Sequence, residues 1–167
     1  MRHNISVLSI LVLILLLSCS CSVRREKQTQ LCKLKEIVES SVSKKGSNVP
    51  LAFKEKLGIY ELGGLSIIFI VDSGCSACLN DLLTFLDLSE DVTDIKDVYA
   101  VINENHEEIL KYYLGLFFKQ KQVGPCKLIT VEDYFPYGYA GSNNVILLRD
   151  NNVVSVFSFH DGRITVD

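Results

Sequence analysis

Cys75-Ser76-Ala77-Cys78 sets two thiols three positions apart. At that spacing a disulfide closes a small ring with little backbone movement. One thiol can attack a partner's disulfide while the other resolves the mixed disulfide that forms. Before the pair, Leu65 to Val71 (LSIIFIV) is a near-continuous apolar run of the kind found in a strand covered on both faces. After it, Leu79, Leu82, Leu83 and Leu86 fall on one helical face. The spacing therefore predicts Cys75 at the end of a buried strand, at or just before a helix start. There, unsatisfied N–H groups and the helix dipole stabilise a thiolate and lower its pKa. Cys78 lies one turn deeper and is expected to be less exposed.

Two plainer readings stand beside exchange chemistry. The pair could be a static disulfide or two buried thiols, bracing the fold without reacting. A metal is the weaker case, because a closed site wants four ligands, usually Cys or His, and His106 and His160 are isolated. No metal or cofactor is expected, since a dithiol carries its own electrons.

The positioning elements read off in order. Leu31, Leu34, Val38 and Val42 predict an amphipathic helix over 28–44, closed by Lys44-Lys45-Gly46. The apolar strand follows at 65–71, with the cysteine-bearing helix after it. DVYAVIN (97–103) is a second strand, and 105–121 is a helix expected to set Ile109, Leu110, Tyr113 and Phe117 on one side. CKLITV (126–131) is a third strand. NVILLR and VVSVFSF, separated by Asp150-Asn151-Asn152, read as a hairpin. The class is α/β, with parallel pairing early and an antiparallel hairpin late.

The amino end bears on compartment. Arg2 and His3 precede an apolar run from Ile5 to Leu17, too short for a comfortable span but suited to a secretory signal. Leu16-Leu17-Ser18-Cys19 looks like a bacterial lipobox, with Cys19 as the lipidated residue. The expected organisation is a lipoprotein-type signal peptide (1–18), a polar tether (19–28) and one domain (29–167). A net charge of −3 without a dense basic run argues against nucleic acid as the main partner. Outside the cytoplasm disulfides form and persist. With Cys19 modified, the odd number left (Cys21, Cys32, Cys75, Cys78 and Cys126) cannot all pair internally.

Strand, CxxC, helix, strand, helix, strand and hairpin over residues 65–159 resemble the thioredoxin superfamily, in particular the exported, membrane-tethered thioredoxin-like lipoproteins of bacteria. The resemblance implies a thioredoxin-like fold: a central mixed sheet flanked by helices, ending in an antiparallel hairpin. It implies Cys75 as attacking thiol and Cys78 as resolving thiol, in thiol–disulfide exchange in the cell envelope. The partners would be protein thiols or disulfides and a redox partner that restores the dithiol. The alternative is a redox-inactive binding module of the envelope with a structural CxxC disulfide. The chain departs from the family in three ways. No proline precedes the final hairpin, where Asn143 stands at about the family's cis-proline position; there is no tryptophan; and no helix is evident after the hairpin.

Cys126, opening the third strand, is a candidate accessory thiol, against the plainer reading of a small buried hydrophobe. Cys32 is expected to be partly buried near the first helix start. Tyr134, Phe135, Tyr137 and Tyr139 could line a groove beside the dithiol, or serve as core and turn residues. Glu104, Glu107 and Glu108 read as favourable charge at a helix N-terminus.

Overall fold

The computed structural model describes residues 23–49, 54–55, 63–71, 76–103, 107–120, 126–131 and 144–166, the last four residues of 107–120 by backbone alone. Its elements are α1 (23–41), β1 (Ser47–Asn48), β2 (Leu65–Ile70), α2 (Ser76–Ser89), β3 (Ile95–Asn103), α3 (Glu107–Gln120), β4 (Lys127–Val131), β5 (Asn144–Arg149), β6 (Asn152–His160) and β7 (Arg163–Thr165). They form the expected α/β arrangement around one mixed sheet. The strand order is β1-β6-β5-β2-β3-β4, with β7 also on β6.

The order follows from handedness and burial. β2, β3 and β4 are parallel neighbours, entered one after another in the same direction across the sheet. Right-handed crossovers then place both connecting helices on one face. The main core shows this: Leu65, Ile67, Phe69 and Val71 of the β2 segment meet Leu82, Phe85 and Leu86 of α2, Leu110 and Leu114 of α3, and Leu34 and Val38 of α1. Alternate residues point to the other face, where Ile68, Ile70, Tyr99, Val101, Ile146 and Leu148 form a second cluster. Among the described residues no helix contributes to that cluster. β2, buried at all six positions, is the strand that the unbroken apolar run predicts.

Phe85 ties α2 to the sheet, its ring centroid 5.3 Å from Phe69, 5.2 Å from Phe159 and 6.3 Å from Phe157. The last two phenylalanines belong to β6, so the cysteine-bearing helix is gripped by the hairpin as well as by the strand before it. β5 lies antiparallel to β2, and β6 antiparallel to β5. The turn between β5 and β6 is tighter than the three residues expected. Asp150 (φ 48°) and Asn151 (φ 65°) alone make it, while Asn152 already pairs with Arg149 in the ladder.

Three expectations need correction. Residues 23–28, assigned to the tether, are helical; Lys27 reaches Asp87 at 2.9 Å and Asp91 at 3.4 Å, and Arg163 reaches Glu26 at 2.9 Å. Their charge serves ion pairs to the rest of the domain, which polarity alone does not distinguish from a tether. Secondly, α1 ends at residue 41, leaving Val42 65% exposed and Ser41 buried in its place. Thirdly, α3 turns Leu110 and Leu114 inward and leaves Ile109 and Tyr113 half-exposed. The antiparallel hairpin expected at the end of the sheet is present as β5–β6, and the chain continues from it into a further antiparallel strand. Asp161 (φ 49°) and Gly162 (φ 73°) turn the chain into β7, whose Ile164 pairs with Phe159. α1 packs against this end: the Ile164 N–H donates to Gln30 Oε1 at 2.9 Å, and Lys33 Nζ to the Ile164 carbonyl at 3.3 Å. Among the described residues, α1 thus joins α2 in covering the outer strands β6 and β7.

Candidate dithiol site

β2 hands the chain to α2 at the carboxyl end of the parallel strands. Val71 continues the ladder beyond β2, its N–H bonding to the Val101 carbonyl at 2.9 Å. α2 then starts at Ser76, so Cys78 is its third residue, inside the first turn. It is 6% exposed and belongs to the main core with Leu82 and Phe69. Cys75 lies outside the described residues, one position before the first residue of α2. The chain thus brings Cys78 to the N-terminal turn of a helix whose remaining inward residues (Asp81, Leu82, Phe85, Leu86, Leu88 and Ser89) are buried. Leu79 and Leu83, expected on that face, pack at its margin.

The residues at this end of the sheet are fixed by register. Asn103 opposite Val131 closes the parallel side, and Asn144 opposite Ser158 opens the antiparallel side. The Ser158 hydroxyl donates to Asn144 Oδ1 at 3.1 Å, pinning the start of β5. Asn143 and the residues Tyr134, Phe135, Tyr137 and Tyr139 lie outside the described residues, as do Cys19 and Cys21.

Asp81 was not singled out from the sequence. It is 4% exposed, one turn after Cys78 on the same inward face, and its Oδ1 accepts from the Gly162 N–H at 3.1 Å. A buried carboxylate needs such donors. The bond clamps the middle of α2 to the β6–β7 turn, beside the contacts of Phe85 with Phe157 and Phe159 of β6. Its signal is a charged residue at i+3 from Cys78, in phase with the leucines Leu82 and Leu86.

Of the other thiols among the described residues, Cys126 is not brought to this end. Cys126 stands just before β4, whose first residue Lys127 pairs with Tyr99, and Val98 in turn pairs with Ile67. Cys126 therefore lies near the amino ends of the parallel strands, and Cys78 near their carboxyl ends. At about 3.3 Å per residue and 4.8 Å per strand, the two are roughly 15 Å apart. A disulfide needs Cα atoms within about 7 Å. Cys126 is half-buried and packs beside Leu128 on the main core, its thiol 3.9 Å from the Lys127 carbonyl. Burial pushes its pKa up to about 12, partly offset by a backbone hydrogen bond from Ala100. A thiol held there stays protonated at neutral pH and is a poor nucleophile. Cys32, expected to be partly buried, is exposed on α1, because Leu34 and Val38 take the inward stripe.

Among the described residues no three His, Cys, Asp or Glu side chains group as metal ligands would, and no helix is long and apolar enough to cross a membrane. No family model and no curated protein matches the chain. Among solved structures it is similar to a peroxiredoxin-like protein from Aquifex aeolicus, with 16% identity, a TM-score of 0.40, and 57% of this chain and 60% of that one covered. It is also similar to a thiol-disulfide isomerase from Corynebacterium glutamicum, with 15% identity, a TM-score of 0.38, and 74% and 83% covered. The chain thus spans about three-fifths of the first protein's length. Neither likeness is close enough to carry the fold, which rests on the strand order and registers above.

Proposed function

We propose that this chain performs thiol–disulfide exchange in the bacterial cell envelope, anchored to a membrane through a lipid on Cys19. The observation that carries the reading is the seat of Cys78: the first turn of α2, at the carboxyl end of buried β2, three residues from Cys75. In the proposed cycle the Cys75 thiolate attacks one sulfur of a partner disulfide and expels the other as a thiolate. Cys78, deprotonated, then attacks the Cys75 sulfur. The Cys75–Cys78 bond forms, the partner leaves with both sulfurs reduced, and two electrons have passed from chain to partner. The reverse sequence oxidises a partner dithiol. A membrane or soluble thiol partner returns the pair to its starting state.

A variant that can attack but not resolve tests this. In membranes carrying Cys78→Ser, mixed disulfides with envelope proteins should accumulate on Cys75 and be released by dithiothreitol. The double variant Cys75→Ser/Cys78→Ser should collect none. If the two variants trap equal amounts, the pair does not exchange, and the redox-inactive binding module becomes the better reading. Cys19→Ala should abolish incorporation of radiolabelled fatty acid; retention of the label would refute the anchor.

A further inference from the structure

Arg149 is a cation that the fold turns inward. It ends β5 on the row of Val145 and Leu147, both in the main core, so its side chain lies on the face that α1 covers. There its Nη2 donates to the buried Ser41 hydroxyl at 3.3 Å, and that hydroxyl donates in turn to the Val38 carbonyl. The Arg149 Nε–H is buried and has no hydrogen-bond partner among the described residues. No described carboxylate stands within ion-pair distance of the guanidinium. A half-buried charge is ordinarily paired and its donors satisfied. Here no described side chain supplies the counter-charge.

Further positive charge gathers beside it. Just past the end of α1, Lys44 and Lys45 line a cleft of about 410 Å³ together with Arg149, Asn48, Asp150 and Asn152. Gly46 holds the two lysines there. A Cβ at that position would stand 2.8 Å from the Asn152 Cβ and from the Val153 carbonyl oxygen, so only glycine lets this segment lie against β6. Both lysines are exposed, and neither is ion-paired among the described residues. Among those residues Asp150 is the one acid in the cleft wall; its Oδ1 accepts from the Gly64 N–H at 2.9 Å, and the Lys96 side chain lies against Gly64. The carboxyl end of α1 adds about half a negative charge. Three cations against these two leave the cleft with a surplus of positive charge.

We propose that this cleft binds a phosphate group, carried by a small molecule or by a lipid headgroup. A guanidinium offers paired, coplanar N–H donors to phosphate oxygens, and the two lysines act as point charges. At about 410 Å³ the cleft falls within the range of small-molecule sites, with room for more than the phosphate itself. It lies at the β5–β6 turn, where Arg149 pairs with the first residue of β2, toward the other end of that strand from Cys78. Binding there is separate from the dithiol and does not rest on exchange chemistry.

Nitrogen-15 spectra of the full chain in phosphatidylcholine nanodiscs test this, titrated with inorganic phosphate at constant ionic strength. The amide signals of Lys45 and Gly46 and the Arg149 Nε–H signal should shift together and saturate, while chloride leaves them in place. Arg149→Lys, which keeps the charge but loses the planar fork, should weaken binding about tenfold. Lys45→Gln, on an exposed side chain outside the core, should weaken it several-fold. Glycerol 3-phosphate saturating the same signals assigns the site to a soluble ligand; phosphatidylglycerol placed in the disc and reproducing the shifts assigns it to a headgroup. Shifts that never saturate, that chloride reproduces, or that neither variant alters would overturn the proposal and leave these cations as counter-charges to the end of α1.

Discussion

Cys78 and Cys126 are the same residue type packed on the same core, yet they sit toward opposite ends of the sheet and at the start of different kinds of element. Cys78 opens a helix at the carboxyl end of the parallel strands, with Cys75 three residues away in sequence. Cys126 enters an edge strand at the amino end, where burial pushes its pKa up to about 12. What separates them is the element each one begins. A helix start supplies N–H donors and a positive partial charge to a thiolate. A strand start on the core side supplies mainly desolvation, which favours the protonated thiol.

The sharpest way to break this comparison is to remove each thiol in turn. Cys75→Ser, taking away the proposed nucleophile, should lower reduction of a model disulfide by at least about a hundredfold. Cys126→Ser should leave the rate within about twofold, because Cys126 stands at the start of β4, toward the opposite end of the parallel strands from Cys78. Equal losses in the two variants would mean that the two ends of the sheet are coupled through the cysteines.

Next in size is the scaffold under the dithiol helix. Phe85→Ala should cost about 3–5 kcal/mol in denaturant unfolding, the usual range for emptying a buried phenylalanine site. Asp81→Ala removes the acceptor of the Gly162 N–H and should cost about 1–3 kcal/mol. A value near zero would show that the clamp between α2 and the β6–β7 turn holds nothing. The smallest effect is a pH dependence. With its folded pKa raised from 9.0 to about 12, the Cys126 thiol contributes its full stability below about pH 9 and loses it as pH rises toward 12, because the unfolded chain gives up its proton first. Unfolding curves of the parent chain and Cys126→Ala should therefore diverge only across that alkaline window. Parallel curves from pH 8 to 11 would contradict the burial ascribed to this thiol.

Some elements were legible in sequence because one physical signal dominated them. LSIIFIV could be little other than a covered strand, and the chain buries every residue of β2. Cys78 was legible in depth because it stands one helical turn past Cys75, and the structure leaves it 6% exposed. α3 was not, because it has two apolar stripes. Periodicity locates both, and only the packing of α2 beside it selects Leu110 and Leu114 over Ile109 and Tyr113. β1 and β7 are two and three residues long and owe their pairing to the outer edge of β6. The Asp161-Gly162 dipeptide was a usable hairpin signal. Asp81 was hidden by its type: an aspartate on a helix reads as solvated until a backbone N–H from 81 residues away is seen to reach it.

The central claim is that the Cys75–Cys78 pair is exchangeable, and its potential tests that most directly. The chain would be equilibrated in thiol–disulfide buffers, its thiols trapped by alkylation and located by mass. A Cys75–Cys78 bond that opens between about −270 and −120 mV is the result this account predicts, the range of known exchange catalysts. A bond that stays closed below about −300 mV, as structural disulfides do, would contradict it.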